Sequence, residues 1–189
     1  MLTGFKYIGE QIGLLEAEGH PERYILGFEE SYGYLSGPHV RDKDAVNASF
    51  LICEMFAFYK TRGVSLIDKL NALYRDYGYC LITQHSYEFP GSAGFEKMKK
   101  LMDDLRVSGP KTAGGLEVKE VVDFGKGIGG LPRSNVLKFE LDGHCSAIIR
   151  PSGTEPKIKN YCTVIAPDKA TAQELESRIV KDFEAIFGV

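Results

Sequence analysis

The spacing of hydrophobic residues changes near Gly78, and this change limits the folds that the chain can adopt. Before this point, apolar residues recur mainly at spacings that place them on one face of a helix. After it, short β-prone runs alternate with turn residues until a last amphipathic stretch. The sequence therefore predicts two domains, residues 1–78 and 79–189, of fold class α/β and α+β respectively.

The first region is expected to contain three helices and one short buried strand. The helices are predicted over residues 4–18, 44–60 and 66–74, and Ser65 is in position to cap the last of them. The strand is predicted over residues 24–28. Along the second helix, the side chains expected to point inward are those of Val46, Phe50, Met55 and Phe58. A mixed α/β arrangement follows from this pattern.

The second region is expected to be built mainly from antiparallel strands. A β-rich run opens it, and four strands are predicted over residues 116–124, 135–141, 145–149 and 157–165. The dipeptide Asp142-Gly143 is a hairpin turn signal between the second and third of these strands. The interpretation is a four-stranded, mainly antiparallel α+β domain that ends in an amphipathic helix.

Charge and cysteine content argue against several classes of function. The chain has 23 Lys and Arg against 26 Asp and Glu, so it has no basic excess for nucleic acid or an anionic membrane. Its four cysteines are scattered, with no Cys-x-x-Cys pair for zinc or redox chemistry. No apolar run approaches the ~20 residues of a membrane span. We therefore expect a cytoplasmic protein without a nucleic-acid or membrane partner, and no metal site.

The segment RPSGTEPKIK, which starts at Arg150, carries groups that suit a phosphate dianion. Ser152 and Thr154 offer hydroxyls, Gly153 permits close backbone approach, and the arginine offers a bidentate fork. Lys157 and Lys159 can add positive charge. The alternative is a tight hairpin whose serine and threonine bond their own backbone.

A glycine-rich polar segment over residues 27–45 has the composition of a binding loop. Glu29 and Ser31 are two positions apart in an extended stretch, so their side chains point the same way. A carboxylate beside a hydroxyl can bind the vicinal hydroxyls of a sugar. The alternative is a solvated acidic loop.

A charge cluster, Arg-Asp-Lys-Asp at positions 41–44, precedes the second predicted helix. Most such clusters are solvated caps and ion pairs of little energetic consequence, and residue chemistry alone favours that interpretation. The functional alternative is that Lys43 faces an active cleft as proton donor or acceptor. His39 is the only histidine that falls in a candidate site.

Four motifs, in order along the chain, resemble the C-terminal part of the α-D-phosphohexomutases, specifically bacterial α-phosphoglucomutases and phosphomannomutases. They are TGFKYIGE, GFEESYGYL, HVRDKDA and RPSGTEPKIKNY, which begin at Thr3, Gly27, His39 and Arg150. The resemblance covers nearly the whole chain. It implies a partial, mixed α/β third domain over residues 1–78 and the C-terminal fourth domain over residues 79–189.

The resemblance also assigns roles to individual residues. Glu29 and Ser31 resemble the sugar-specificity pair, Thr3 and Gly4 resemble part of a neighbouring substrate loop, and Lys43 matches the proposed general acid or base. The loop that grips the phosphate not being transferred is matched by Arg150, Ser152, Gly153 and Thr154, and more weakly by Lys159.

For the parent enzyme, the resemblance implies interconversion of hexose 1-phosphate and hexose 6-phosphate through a phosphoserine and a bisphosphate intermediate. The family's serine segment and its Asp-rich Mg²⁺ loop are not in this sequence. We therefore expect a fragment that is inactive alone, binds no metal, and has the N-terminal domains of the same parent chain and a hexose phosphate as partners. Phosphomannomutase, phosphopentomutase or bisphosphate-sugar synthase, and a stand-alone anion-binding module remain as alternatives.

Overall fold

Two separate hydrophobic cores organise the chain in a computed structural model that describes residues 4–29, 32–153 and 155–189. They correspond to two units, Met1–Leu70 and Asn71–Val189. The domain boundary near Gly78 stays a prediction. Among the described residues, no helix combines the length and the hydropathy that crossing a membrane requires.

The first unit has a small core between one helix and a short hairpin. Helix α1 spans Phe5–Ala17, and strands β1 (Leu26–Phe28) and β2 (Tyr34–Ser36) pair in antiparallel fashion. The helix confirms the periodicity of the sequence, whereas the strand starts two residues later than predicted. The core consists of the buried side chains of Phe5, Ile8, Ile12 and Leu35, with Tyr24 packed against them.

Helix α2 spans Ala45–Lys60, and it corrects one expectation from the sequence. None of its residues is buried: Val46 and Phe50 are 81% and 64% exposed, and Met55 and Phe58 are exposed as well. The reason is that the described part of this unit has only the two short strands, and its core is already filled by α1 and β2. The apolar residues of α2 therefore have no layer to pack against.

Helix α3, Leu66–Tyr77, begins where the sequence places a cap. The hydroxyl of Ser65 accepts from the amide of Asp68 at 3.0 Å, and the Asp68 carboxylate accepts from the Ser65 amide at 3.1 Å. This reciprocal pair satisfies two amides that the first turn leaves free. The predicted cap is confirmed.

The second unit contains a six-stranded antiparallel sheet with strand order β3-β8-β7-β6-β5-β4. The strands are β3 (Tyr79–Glu88), β4 (Thr112–Ala113), β5 (Leu116–Asp123), β6 (Leu137–Leu141), β7 (Ser146–Pro151) and β8 (Lys157–Ala166). The antiparallel α+β prediction is confirmed, but four strands is too few. The β-rich opening run pairs with β8 along its whole length, and β4 adds a short edge that two residues of sequence could not reveal.

Helices α4 (Gly91–Ser108) and α5 (Lys169–Phe187) contribute to the core of the second unit together with the sheet. In β8, every second residue from Ile158 to Ala166 is buried, and the residues between them are partly exposed. This alternation separates a core face from an outer face of the sheet. Along α5, Ile179, Phe183 and Phe187 are fully buried.

A polar cluster connects strand β3 to helix α5 beside this core. The Glu176 carboxylate accepts from the Thr83 hydroxyl at 2.6 Å and lies 2.7 Å from Nε2 of His85. Directly opposite His85 in the ladder, Asn160 is fully buried, and neither its amide nitrogen nor its oxygen bonds a described residue. The core face of the sheet is therefore polar at one point along β8.

The turn between β4 and β5 depends on a glycine that packs against α5. Gly114 has a φ of +62°, and its amide donates to the Asp182 carboxylate at 2.7 Å. A Cβ at this position would lie 2.5 Å from Cγ1 of Ile179 and 3.1 Å from its backbone nitrogen. No side chain larger than hydrogen fits without moving the helix backbone.

We expect Gly114→Ala to destabilise the second unit more than Gly115→Ala does. Both positions have positive φ, so the backbone strain is common to both, but a Cβ at Gly115 meets nothing within 4 Å. The overpacking at Gly114 should cost about 1–3 kcal/mol beyond the control. Urea unfolding of both variants measures the difference, and equal losses would contradict this packing argument.

Candidate functional site

The first group of predicted site residues lies around the β1–β2 hairpin. The amide of Glu29 donates to the carbonyl of Gly33 at 2.9 Å, which closes the loop between the strands. The amide of Asp44 donates to the carbonyl of Tyr34 at 2.9 Å, and the Ser36 amide donates to the Asn47 side chain at 3.0 Å. These bonds fix the start of α2 beside the hairpin, so the motifs that begin at Gly27 and His39 lie side by side.

Lys43 lies between two carboxylates and an aromatic ring. Its Nζ is 3.3 Å from Oδ1 of Asp42 and 3.4 Å from Oε1 of Glu29, and it lies 5.4 Å from the centroid of the Phe5 ring. The Glu29 side chain is only 13% exposed, whereas that of Lys43 is 46% exposed. The lysine therefore connects three sequence motifs at one point.

The neighbouring carboxylates favour the charged form of this lysine. The hydrogen bond to Asp42 raises the pKa of Lys43, with smaller contributions from the charges of Asp42 and Glu29. In turn, the backbone amide of Lys43, 2.8 Å away, and then its ammonium lower the pKa of Asp42. At neutral pH the lysine carries a proton that it can donate.

His39 contacts the cap of α2 rather than this lysine. Its Nε2 lies 3.0 Å from Oδ2 of Asp44, while Oδ1 of Asp44 accepts from the Asn47 amide at 2.9 Å. The amide of Asn47 and then His39 lower the pKa of the Asp44 carboxyl. This histidine therefore supports the helix start.

Two of the predicted sugar-site residues, Thr3 and Ser31, lie outside the described residues. Gly4 is the N-cap residue of α1, with a φ of 125°, and directly precedes Phe5. In this unit the structure therefore brings together Glu29 and Lys43 and places Gly4 one residue from the ring that Lys43 covers.

The second group of predicted residues lies at the turn from β7 to β8. Arg150 is in β7, and Ser152 and Gly153 follow the strand, whereas Thr154 lies outside the described residues. The amide of Ser152 donates to the Lys157 carbonyl at 2.8 Å, and the Glu155 amide donates to the Ser152 hydroxyl at 3.2 Å. The segment is a strand-to-strand turn, and its serine makes one of the local backbone bonds that the alternative interpretation expects.

Arg150 and Lys159 face each other across the β7–β8 ladder. They are directly paired in register, so their side chains leave the same face of the sheet. Their strand neighbours Ile149 and Asn160 are fully buried, which places the two cations on the outer face. In the described part of the chain, no carboxylate oxygen lies within 4.0 Å of a side-chain nitrogen of Arg150 or Lys159. Two like charges at directly opposite positions repel each other.

The other lysine of the turn is already paired. Nζ of Lys157 lies 2.6 Å from Oε2 of Glu155, and this contact lowers the pKa of the Glu155 carboxyl. Gly153 is exposed, and a Cβ there would meet nothing within 4 Å. Packing within the described chain therefore does not require glycine at this position.

No metal centre was found among residues 4–29, 32–153 and 155–189, because no three His, Cys, Asp or Glu side chains in those ranges are grouped in a way that could hold an ion.

Comparison with known proteins identifies the family. Residues 1–77 match the family described as "Phosphoglucomutase/phosphomannomutase, alpha/beta/alpha domain III". A protein named phosphoglucomutase from Staphylococcus aureus (strain MRSA252) is 37% identical over 191 residues, which cover 95% of this chain. This chain belongs to the phosphohexomutase family. A phosphoglucomutase of Staphylococcus epidermidis (strain RP62A) is also 37% identical, over 175 residues and 87% of the chain.

The phosphohexomutase chain is much shorter than these relatives. It spans 34% of the length of the S. aureus protein and 31% of the S. epidermidis protein. A solved structure titled as pp63/parafusin (phosphoglucomutase) from Paramecium, in an open form, covers 98% of the chain with a TM-score of 0.71. The chain covers 33% of that protein at 21% identity, so this likeness shows the fold alone.

Sequence reasoning missed three residues that shape the lysine environment of this phosphohexomutase chain. Asp42 and Phe5 contact Lys43, and Gly33 lies beneath the Glu29–Lys43 contact. The spacing within the Arg-Asp-Lys-Asp cluster does not indicate which of the two aspartates forms an ion pair with the lysine. Phe5 belongs to one of the four motifs, but its periodicity indicated only a core position.

We expect Lys159→Gln to stabilise the second unit, because it removes one of two opposed cations. The gain in the free energy of unfolding should be about 0.2–1 kcal/mol and should shrink with added salt. Lys138→Gln is the matched control, since Lys138 lies 2.5 Å from Oε1 of Glu140 and its removal leaves that carboxylate unpaired. A loss of stability in Lys159→Gln would contradict the repulsion.

Proposed function

We propose that this chain supplies the sugar-recognition and phosphate-gripping parts of a phosphohexomutase that interconverts hexose 1-phosphate and hexose 6-phosphate through a phosphoserine and a bisphosphate intermediate. The observation that carries the proposal is the pairing of Arg150 and Lys159 on the outer face of the sheet. Two adjacent cations with no carboxylate within 4.0 Å in the described chain suit a dianion. The names of the relatives support phosphoglucomutase as the activity.

The phosphate grip is proposed to use charge from the strands and close approach from the turn. The Arg150 guanidinium offers two parallel N–H donors, and Lys159 adds a second charge beside it. Packing within the described chain does not explain the glycine at position 153. A glycine there would allow a ligand to approach the backbone closely. The hydroxyls of Ser152 and Thr154 are proposed to donate hydrogen bonds to the same phosphate.

The sugar end of the substrate is proposed to bind near Glu29 and Ser31. The Glu29 carboxylate can accept hydrogen bonds from two neighbouring hydroxyls, which an apolar pocket could not satisfy. Its low exposure limits competition from water. These contacts would orient the sugar with one oxygen toward Lys43.

Lys43 is proposed to act as the general acid. When a phosphoryl group leaves the bisphosphate for the serine, the bond from phosphorus to the sugar oxygen breaks and a new bond to the serine oxygen forms. The proton of the serine hydroxyl would pass to a base on another segment of the parent chain, which would return it in the opposite transfer. The ammonium donates its proton to the departing sugar oxygen. In the opposite transfer the neutral amine receives the proton of the attacking hydroxyl, so the lysine is restored.

The remaining parts of the reaction are proposed to come from other segments of a longer parent chain. The exposed apolar residues of α2 support this, because a helix with unburied phenylalanines normally packs against another layer. The family description of an alpha/beta/alpha domain also names more layers than the described unit contains. The phosphoserine and the Mg²⁺ implied by the resemblance would lie in those segments, in a cytoplasmic enzyme.

We expect Arg150→Ala to weaken phosphate binding by the chain. Loss of the charge-assisted fork should cost about 2 kcal/mol, which is roughly a 30-fold increase in Kd. Titration with glucose 6-phosphate and with inorganic phosphate, followed by chemical shifts at matched ionic strength, measures the effect. Lys138→Ala is the control, because it removes the same charge from a lysine that is already paired with Glu140.

Equal responses from wild type and Arg150→Ala would remove the phosphate assignment. If Lys138→Ala loses as much phosphate affinity as Arg150→Ala does, the unit attracts anions only through its overall charge and Arg150 does not form a specific site.

We expect Lys43→Met in the full-length parent to lower kcat by ~100- to 10,000-fold with little change in KM. The reason is that the phosphate grip and the sugar loop provide most of the ground-state binding, whereas the lysine contributes to proton transfer. Steady-state rates and the melting temperature should be measured on the same protein. A normal rate would mean that Lys43 has no catalytic role and is only part of the solvated charge cluster that residue chemistry alone favours.

A further inference from the structure

Gly33 is buried directly beneath the contact between Glu29 and Lys43. An ideal Cβ on this residue would lie 2.7 Å from Oε1 of Glu29 and 2.8 Å from both Cγ and Cδ of Lys43. These separations are well below the ~3.5–4.0 Å at which carbon atoms pack. The two side chains therefore meet in space that exists only because Gly33 has no side chain.

The surrounding backbone leaves little room for adjustment. The Gly33 carbonyl accepts from the amide of Glu29, and the next residue, Tyr34, accepts from the amide of Asp44. The hairpin end and the residue after Lys43 are thus held on both sides of the contact. Because Cγ and Cδ are in the middle of the lysine stem, a Cβ at Gly33 would displace the whole stem and its ammonium.

We propose that Gly33 is a positioning residue that keeps the Glu29 carboxylate and the Lys43 ammonium together, so that sugar recognition and proton transfer are performed by one coupled pair. The placement rests on the geometry alone, and its role in turnover rests on the proposed function. Glu29 would then act on the reaction twice, through the sugar hydroxyls and through the lysine.

Few charged groups face this ammonium, which makes the coupling measurable. Asp42 approaches from the same segment, Glu29 approaches from the hairpin, and the Phe5 ring approaches from α1. Within the described residues, no further carboxylate lies within 4.0 Å of Nζ. Separation from Glu29 removes a negative charge that favours the ammonium, so the pKa of Lys43 should fall.

The test is a titration of the Lys43 side chain by carbon-detected NMR in the 189-residue chain. Its signal is identified by its loss in Lys43→Arg. We expect Gly33→Ala to lower the pKa of Lys43, as Glu29→Gln should. The variant that carries both substitutions should show no lower pKa of Lys43 than Glu29→Gln alone. Gly13→Ala is the control, because a Cβ at Gly13 meets nothing within 4 Å. An unchanged pKa in folded Gly33→Ala would overturn the proposal.

If Gly33→Ala is too unstable to titrate, the Lys43→Ala background decides the question. This background lacks Cγ and Cδ, so the added methyl group should cost less stability there than in wild type, as measured by urea unfolding. Equal costs in the two backgrounds would overturn the proposal, because the lysine stem would not be what Gly33 accommodates.

Turnover in the full-length parent separates this proposal from the proposed function. We expect Gly33→Ala to lower kcat on the order of 10- to 100-fold, as for a catalytic group displaced by about 1 Å. If Lys43→Met is inactive but Gly33→Ala turns over normally, the positioning role is wrong. If Lys43→Met itself retains full activity, the proposed function fails, whatever the NMR titration shows for Gly33.

Discussion

The pairing of β7 with β8 is the constraint on which the second unit depends. Its register buries Ile149 and Asn160 on the core face and thereby places Arg150 opposite Lys159 on the outer face. A shift by one residue would exchange the two faces along the whole strand. The hydrophobic core formed with α4 and α5 therefore fixes the positions of the cations from the opposite face of the sheet. Fold stability and the candidate phosphate site share one register.

The two candidate sites differ in how their charges are balanced. Around Lys43 the balance is internal, because Asp42 and Glu29 both lie within 3.4 Å of the ammonium. At the β7–β8 turn, Lys157 is paired with Glu155, while Arg150 and Lys159 have no carboxylate within 4.0 Å in the described chain. A site that holds a dianion benefits from unbalanced positive charge, whereas carboxylates beside a lysine hold it in its protonated form. The unbalanced charge at the β7–β8 turn therefore suits the proposed phosphate grip.

The first unit shows how little packing is needed to position these groups. A core of four buried side chains packs α1 against the hairpin, and one backbone hydrogen bond and one bond to the Asn47 side chain hold the hairpin beside the start of α2. The same unit leaves the apolar side chains of α2 exposed, so its local geometry is specified even where its packing is incomplete. Local hydrogen bonds and a glycine fix the geometry around Lys43, and the large apolar surface of α2 does not contribute to it.

Local signals were enough to predict three helices of the first region, the last helix of the second region, most of its strands and the motifs of the family, because periodicity, caps and turn residues act over a few neighbouring positions. The sequence placed Glu29, Lys43 and Arg150 in candidate sites without indicating what each would contact. The tertiary structure alone decided that Phe5 and Gly33 lie at Lys43, that Arg150 faces Lys159, and that β4 extends the sheet. Those contacts depend on register and on the packing of distant segments, and residues far apart in sequence carry no local signal of the partner they will meet.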